Sequence, residues 1–465
     1  MRKRLGGIHS LGMLCALLAP FRTPAASFGR EPDAPANSET KKDMQAAPEV
    51  DQAAENSAPD APPAPATETN WLERERLTGD WNGVRTTLEE KGITFDTTLT
   101  TYYQHVAHGG LNTHNAHTII GVNDFELTFD FDAMKLIPGG SLYLWGSNAW
   151  GESPSTRGWV GDLFWVNGAE VGDRPIDVHE LVYEQALFDD ALRLRFGKVC
   201  MSCYFDTNEF AYDTTQDFLN YGLNNAPNIP FPAYAFGALG AQVIFKPCEW
   251  FYAQVGVADA DAEFNETGFQ TAFHGPDHVF SMYEIGWTPT FDTPRGKLPG
   301  HYRLGFWYDP RPKERWSDDL GGVRRTVPVK SGDFGFYVNL DQGIYRENPT
   351  DEDDEQGLGL FFRYSYAGAD VNLIEHFWSV GFQYEGLIPT RDEDVWGFGV
   401  AQGVLSGDLE YTGVSPHRET VLETYYRIQA TKWMTISPDF QWILRPGGLD
   451  GPDAFVAGLR VQVSF

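Results

Sequence analysis

The sequence has little positive charge and no long apolar helix. Lysine and arginine total 35 against 65 aspartates and glutamates, a formal charge of −30 at neutral pH. Nucleic-acid binding needs a basic face, so this balance excludes nucleic acid as a partner. Past the first 27 residues no apolar run reaches the roughly 20 residues that a helix needs to cross a bilayer. The mean hydropathy of −0.36, taken alone, is that of a water-soluble protein. Signatures of catalysis are missing too: there is no GxSxG, HExxH, GxxxxGK[ST] or strand-placed GxGxxG. Paired carboxylates for glycoside hydrolysis carry no local signature, so the acid excess alone does not argue for a hydrolase. No nucleotide or redox-cofactor motif is visible, and the expected cofactor is none.

Cysteine is scarce, four in 465 residues. One of them, Cys15, lies in a segment that reads as a secretory signal over residues 1–27. "MRKR" is its basic start, "LGMLCALLA" its short apolar stretch, and "PAAS" offers cleavage near Ala26 or Ser27. Bulky Leu14 before Cys15 argues against lipoprotein processing. Export makes a disulfide chemically available to Cys200, Cys203 and Cys248. "CMSC" has the spacing of redox and zinc motifs, but no second CxxC or paired histidine completes a zinc site. A structural bridge or unpaired thiols fit better, and the odd count leaves one thiol over.

Residues 28–70 are rich in Ala, Pro, Glu and Asp and nearly free of aromatics, a composition that cannot bury a core, so they read as a disordered spacer. Residues 71–92 carry a short helix, with Thr78 or Asp80 as its cap and Gly92 as a left-handed stop. From residue 93 to 465 the period changes to two. In "NDFELTFDFDA", Phe125, Leu127, Phe129 and Phe131 alternate with Asp124, Glu126, Thr128, Asp130 and Asp132. "DALRLRFGK" sets Leu192, Leu194 and Phe196 against Arg193 and Arg195, and "WFYAQVGVA" sets Val255 and Val257 opposite Gln254. Strict alternation argues for strands with one apolar and one polar face.

About sixteen such segments follow, most of roughly nine to eleven residues, the length of a tilted strand crossing a bilayer. They begin near residues 93, 123, 140, 176, 190, 237, 250, 279, 300, 332, 357, 376, 394, 418, 432 and 454. Long connections (104–122, 150–175, 199–236, 259–278, 309–331, 404–417, 443–453) mostly alternate with short ones. The acidic "ENPTDEDDEQ" interrupts that rhythm. A closed transmembrane barrel pairs all its backbone groups and hides from a hydropathy scan, because polar lumen residues dilute the lipid-facing ones. The last strand, "DAFVAGLRVQVSF", then points Phe455, Ala457, Leu459, Val461, Val463 and Phe465 to lipid and Arg460 and Gln462 to water. The abundant aromatics, 14% of the chain, fit interface girdles. The competing soluble reading is a β-sandwich or jelly roll whose core the same apolar rows would line.

"LTGDWNGVRTTLEEKGI", "YEQALFDDALRLRFGK", "DQGIY", "GLGLFFRY", "GFQYEGLIPTRDEDVWGFGVAQGVLS" and "ETYYRIQATKWMTISPDFQWILRPGG", together with the closing "AGLRVQVSF", span nearly everything from Leu77 to Phe465. In this order they resemble the OprB-type carbohydrate-selective porins. The resemblance implies a 16-stranded antiparallel transmembrane β-barrel with a short N-terminal periplasmic helix, placed in the outer membrane of a Gram-negative-type envelope. It implies passive diffusion of mono- or small oligosaccharides, narrowed by inward-folded loops, and reading of terminal Phe465 by the outer-membrane assembly machinery. Small carbohydrates and outer-membrane lipids are the expected partners; monomer or homo-oligomer stays open. The alternatives are a general cation-favouring porin and an exported soluble carbohydrate-binding protein or hydrolase.

A sugar offers hydroxyls and an apolar ring face, so a weakly binding constriction needs charged or amide partners and aromatics. The alternation places Arg193 and Arg195 on the lumen side, with Glu180, Glu184, Asp124 and Glu126 on neighbouring strands. The family motif puts Arg85 on the helix at the periplasmic mouth, with helix capping or bracing of the wall as its other role. Trp159, Asp162, Trp165 and Asn167 lie in the second long connection, which folds inward in the family. His105, His108, His114 and His117 are placed in an outer loop and read as solvated rather than as metal ligands. "DEDDEQ" reads as a charged turn, since it lacks the spaced ligands of a calcium loop.

Overall fold

The computed structural model describes residues 70–465 apart from 170–171, 235, 264–271, 273–277, 295, 317–328, 351–353 and 413–414. The signal and nearly all of the spacer therefore lie outside the described residues, as does half of "DEDDEQ". The described residues hold seventeen antiparallel strand segments: β1(Ile93–Gly109), β2(His117–Asp130), β3(Gly140–Trp150), β4(Arg174–Leu187), β5(Leu192–Val199), β6(Ala238–Cys248), β7(Phe251–Asp259), β8(Val279–Trp287), β9(Thr290–Thr293), β10(Gly296–Glu314), β11(Val329–Arg346), β12(Gly357–Ala367), β13(Ile374–Glu385), β14(Val395–Leu405), β15(Arg418–Thr431), β16(Met434–Leu444) and β17(Ala454–Ser464). Sequence neighbours pair in turn, with β8 passing over β9 to β10, and β1 pairs with both β2 and β17, which closes the sheet. Segments β8 and β9 both pair with β10 and form one interrupted stave. The result is a closed barrel of sixteen staves.

The two faces are distributed as the alternation requires, with the apolar rows outside. Phe334, Phe306, Trp442, Phe196, Val255 and Leu459 project from the outer wall and are exposed. Asp124, Glu284, Arg363, Glu423, Gln441 and Arg460 point inward and are buried. On β17 the switch takes one residue: Leu459 is 41% exposed and Arg460 1%. An outer surface this apolar is stable only against acyl chains, and closure leaves no backbone edge unpaired within them. Among the described residues no helix is long and apolar enough to cross a membrane; the crossing is made by strands.

Strand onsets differ from the alternation mainly at β2. The connection expected at 104–122 is only 110–116, because β1 and β2 continue past their apolar rows into Gln, His and Thr residues that still pair in register. His105, His108 and His117 thus sit on strands, not in a loop. For the same reason β1, β10 and β11 run 17, 19 and 18 residues, well beyond bilayer length. The connection 368–373 is short although it lies at the long-loop end, where β12 and β13 turn directly into one another.

The segment before β1 is a 3-10 turn, Trp81–Gly83, followed by a helix, Val84–Glu89. The cap position of the helix is Gly83; of the two expected caps, Asp80 Oδ1 accepts from the Thr86 N–H and hydroxyl, each at 2.9 Å, while Thr78 Oγ1 accepts from the Trp81 indole Nε1 at 3.2 Å and caps no backbone group. These bonds hold the Asp80 carboxyl below its ordinary range, the Thr86 N–H contributing most. Gly92 is left-handed (φ +80), and a Cβ there would stand 2.6 Å from the Asp130 carbonyl oxygen. Two further single-turn helices, Met201–Tyr204 and Tyr221–Asn224, lie inside the barrel, unannounced by the period-two pattern. Cys200 and Cys203 form a disulfide at the first of them, and Cys248 is the free thiol among the described residues.

Candidate functional site

Two connections enter the lumen, 151–173 after β3 (loop A) and 200–237 after β5 (loop B). Their reach is set by partners on distant walls. In loop A, the Val166 carbonyl accepts from Gln104 of β1 and Gln441 of β16, both at 2.9 Å. Glu419 of β15 accepts from Leu163 and Phe164 N–H at 2.7 and 3.0 Å. In loop B, Glu423 of β15 accepts from Leu219 and Asn220 N–H. Arg460 of β17 donates to the carbonyls of Thr214, Gln216 and Asp217 at 2.6–2.8 Å. Asp206 pairs with Arg363 of β12 at 2.9 Å, with neither side chain exposed. Loop carbonyls and amides that enter a water-poor interior must find partners; single charges on the inner rows supply them.

The loops also join each other, through Gly168 N–H to Leu219 O (2.7 Å) and Tyr221 N–H to Trp165 O (3.0 Å). They rest on an inner row of small residues on β14, Gly397, Gly399, Ala401 and Gly403. A Cβ at Gly403 would lie 2.5 Å from the Phe164 ring, and one at Gly399 would lie 2.8 Å from Leu223. Glycine here is a matter of space, since bulk on this row would push the loops off the wall.

Six candidates from the strands come together on the inner wall of β2, β4 and β5. Asp124 accepts from Trp145 Nε1 at 3.1 Å and Glu126 from the Tyr143 hydroxyl at 2.8 Å. Glu180 accepts from Cys200 N–H at 2.8 Å and the Tyr204 hydroxyl at 3.1 Å, which seats the disulfide turn. Glu184 takes Arg195 Nε on one oxygen and Arg193, at 3.3 Å, on the other. The Arg195 guanidinium also stands 4.2 Å over the Tyr204 ring. With Tyr204, Tyr212, Arg303, Gln383 and Arg427, Arg195 lines a cavity of 1110 Å³ that reaches the short-turn end at Ala191, Glu249 and Thr288.

The other candidates are placed differently. Trp159 is half-buried in loop A with the Arg157 guanidinium 5.3 Å over its ring, and Trp165 packs on Tyr221 at 5.5 Å. Asp162 accepts from the Ser155 hydroxyl at 2.6 Å. Asn167 is fully buried and turns its Oδ1 onto Ala169 N–H at 2.9 Å. Arg85 lies on the helix before β1, 3.5 Å from Asp96 of that strand. It donates to the carbonyls of Phe95 and Phe465, both at 2.9 Å, lies 4.3 Å from the Trp81 ring, and ties the helix to the seam where β1 meets the chain end. Bracing of the wall is thus what its contacts do.

Sequence reasoning did not name Glu284, Arg363, Glu419 and Glu423, whose side chains gather loop backbone groups and hydroxyls inside the barrel, although lone charges at inner parity in "MYEIGW", "GLFFRY" and "RETVLET" were a usable signal. Glu284 alone gathers the hydroxyls of Tyr252 and Tyr337 and the amide of Gln254. Among the described residues no group of three or more potential ligands could hold a metal ion.

A closed barrel with a charged lumen and two loops folded into it is a porin architecture, and comparison with known proteins decides which. The profile of the carbohydrate-selective porin OprB family matches residues 116–465, three quarters of the chain. The chain belongs to the OprB family. It is 26% identical to Porin B of Pseudomonas aeruginosa over 319 residues, covering 62% of this chain and 67% of that protein. Its fold matches the high-pH structure of Pseudomonas putida OprB with a TM-score of 0.74, at 24% identity, over 84% of this chain and 99% of the other. The low-pH structure of the same protein matches at 0.52, with 20% identity and the same coverage. This OprB-family chain is an outer-membrane porin, and its relatives are channels rather than enzymes.

Proposed function

We propose that this porin passes mono- or small oligosaccharides down their concentration gradient, and that the sugar is screened between the joined loops A and B and the β2–β5 wall. The observation that carries this reading is Arg195: a guanidinium held beside Glu184, stacked over Tyr204 and lining the cavity. Guanidinium and carboxylate present donors and acceptors to vicinal hydroxyls, while an aromatic face suits the pyranose ring. Because every such group already has a protein partner, each exchange with sugar is close to balanced, and weak binding permits release. Arg193, Glu184, Glu180, Asp124 and Glu126 extend the same surface, with Trp159, Asp162 and Trp165 as contacts from loop A. Asn167 shapes loop A from within, and Arg85 shapes the mouth through the seam. Reading of Phe465 by the assembly machinery belongs to the same proposal.

The test is ion current through the purified porin in planar bilayers with a panel of neutral sugars. Concentration-dependent block that falls off with sugar size is expected. Current indifferent to every sugar, with a cation preference set by the acidic mouths, would replace this reading by a general porin.

A further inference from the structure

Loop B is held by many charges of the wall, among them Arg363, Arg460, Glu423 and Glu180. Loop A, which carries Trp159, Asp162 and Trp165, has a different attachment. Its wall contacts include the amides of Gln104 and Gln441 on one carbonyl, the Thr118 hydroxyl on the Glu152 carbonyl, and Glu419. Glu419 is fully buried. Its Oε2 accepts from Leu163 N–H at 2.7 Å and from Gly447 N–H at 2.6 Å; its Oε1 accepts from Phe164 N–H at 3.0 Å. One carboxylate thereby gathers three backbone donors from two connections, loop A and the turn before β17. The Phe164 ring beside it fills the space above Gly403 and meets Phe377 edge-on at 5.6 Å.

We infer that Glu419 is the positioning residue of the selectivity loop: it sets how far loop A stands into the passage. The inference rests on the sugar-screening reading above and adds to it the residue that determines the aperture on the loop A side. The chemistry is specific to a carboxylate. Three N–H donors converge on two oxygens, and only the ionised group offers both oxygens as acceptors with no O–H turned against a donor. Glutamine would keep one acceptor and turn an NH₂ toward an N–H, setting donor against donor. Asp162 lies close enough to add like-charge repulsion, so the site relies on the amides to hold the carboxylate. Glu423, four residues along the same inner row, does the corresponding task for loop B at Leu219 and Asn220. Arg363 and Arg460 share that load.

The experiment uses the full-length porin, comparing wild type with E419Q and E419D. Trypsin reports the loop without reference to sugar. Arg157 is exposed, but its turn is closed by Arg157 N–H to Ser153 O, Gly158 N–H to Ser155 O and Trp159 N–H to Pro154 O. Cleavage at Arg157–Gly158 therefore requires the turn to open. Loss of bonds to a charged acceptor should raise that cleavage rate about tenfold or more in E419Q. E419D, one methylene short but still ionised, should fall between. In bilayers, E419Q should show larger ion conductance and weaker sugar block, while heat-modifiable gel mobility stays that of an assembled barrel. Unchanged cleavage in both variants overturns the inference. Faster cleavage with sugar block unchanged also overturns it as a statement about selectivity, and removes loop A from the sugar path. A wild type that no sugar blocks, with cleavage still accelerated in E419Q, instead overturns the sugar-screening reading. If E419Q does not assemble, E419D carries the same two readouts.

Discussion

Replacing Arg363 by methionine should unseat loop B without opening the barrel. The guanidinium donates to Asp206 Oδ1 (2.9 Å) and to the carbonyls of Leu223, Asn224, Asp206 and Ala211 at 2.9–3.3 Å, and neither Arg363 nor Asp206 is exposed. Removing one member of such a buried pair leaves a charge without compensation, at a cost of about 3–5 kcal/mol. Asp206 would retain Asn339 and the Ala226 N–H as donors, so the lower end applies. The strand ladders of β11, β12 and β13 do not involve this side chain, so the loss falls on loop seating. At about 1.4 kcal/mol per decade, the seated-to-released ratio of loop B drops by two to three decades. R363M channels should show larger, noisier conductance and weaker sugar block, with heat-modifiable mobility intact. D206N should do the same, and R363M/D206N should cost less than the sum of the two. Wild-type conductance and sugar block in R363M would refute the claim that wall charges set the aperture.

Other outcomes follow from the same contacts. R193A/R195A should assemble normally and weaken sugar block, because the pair shares Glu184; unchanged block removes both from the site. R85A loses two charge-assisted bonds of roughly 1.5–3 kcal/mol each, so the segment before β1 should gain proteolytic sensitivity while sugar block stays near wild type, as read by limited proteolysis beside bilayer recording. The Asp80 carboxyl is held below its ordinary range. Its capping contribution is therefore present above the ordinary carboxylate pKa and lost as pH falls through the lowered folded-state value. Exchange protection of the Thr86 amide should decline in acid, and D80N should lower that protection at neutral pH.

Much of the architecture was legible in short stretches. Alternation in "DALRLRFGK" and "AGLRVQVSF" assigned inside and outside correctly for Phe196, Arg195, Leu459 and Arg460, because side-chain direction in a strand depends only on parity. It failed where parity carried no hydrophobic contrast. The polar ends of β1 and β2 looked like loop, although backbone pairing continued there without help from apolar rows. In loops, sequence named Trp159 and Trp165 by residue type and could not see that Asn167 would turn its Oδ1 onto Ala169 N–H of its own loop.

What the chain by itself determined is local: two-faced strands, the short-turn rhythm, the left-handed stop at Gly92, and an acidic surface. Only the tertiary structure decided which loops fill the lumen and what holds them. Arg363 meets Asp206 across 157 residues, and Glu419 meets Leu163 across 256. Most of the loop partners are backbone N–H and C=O groups, which every residue carries alike. No pattern of side chains can announce them; they are chosen when the closed barrel brings one wall within reach of another wall's loops.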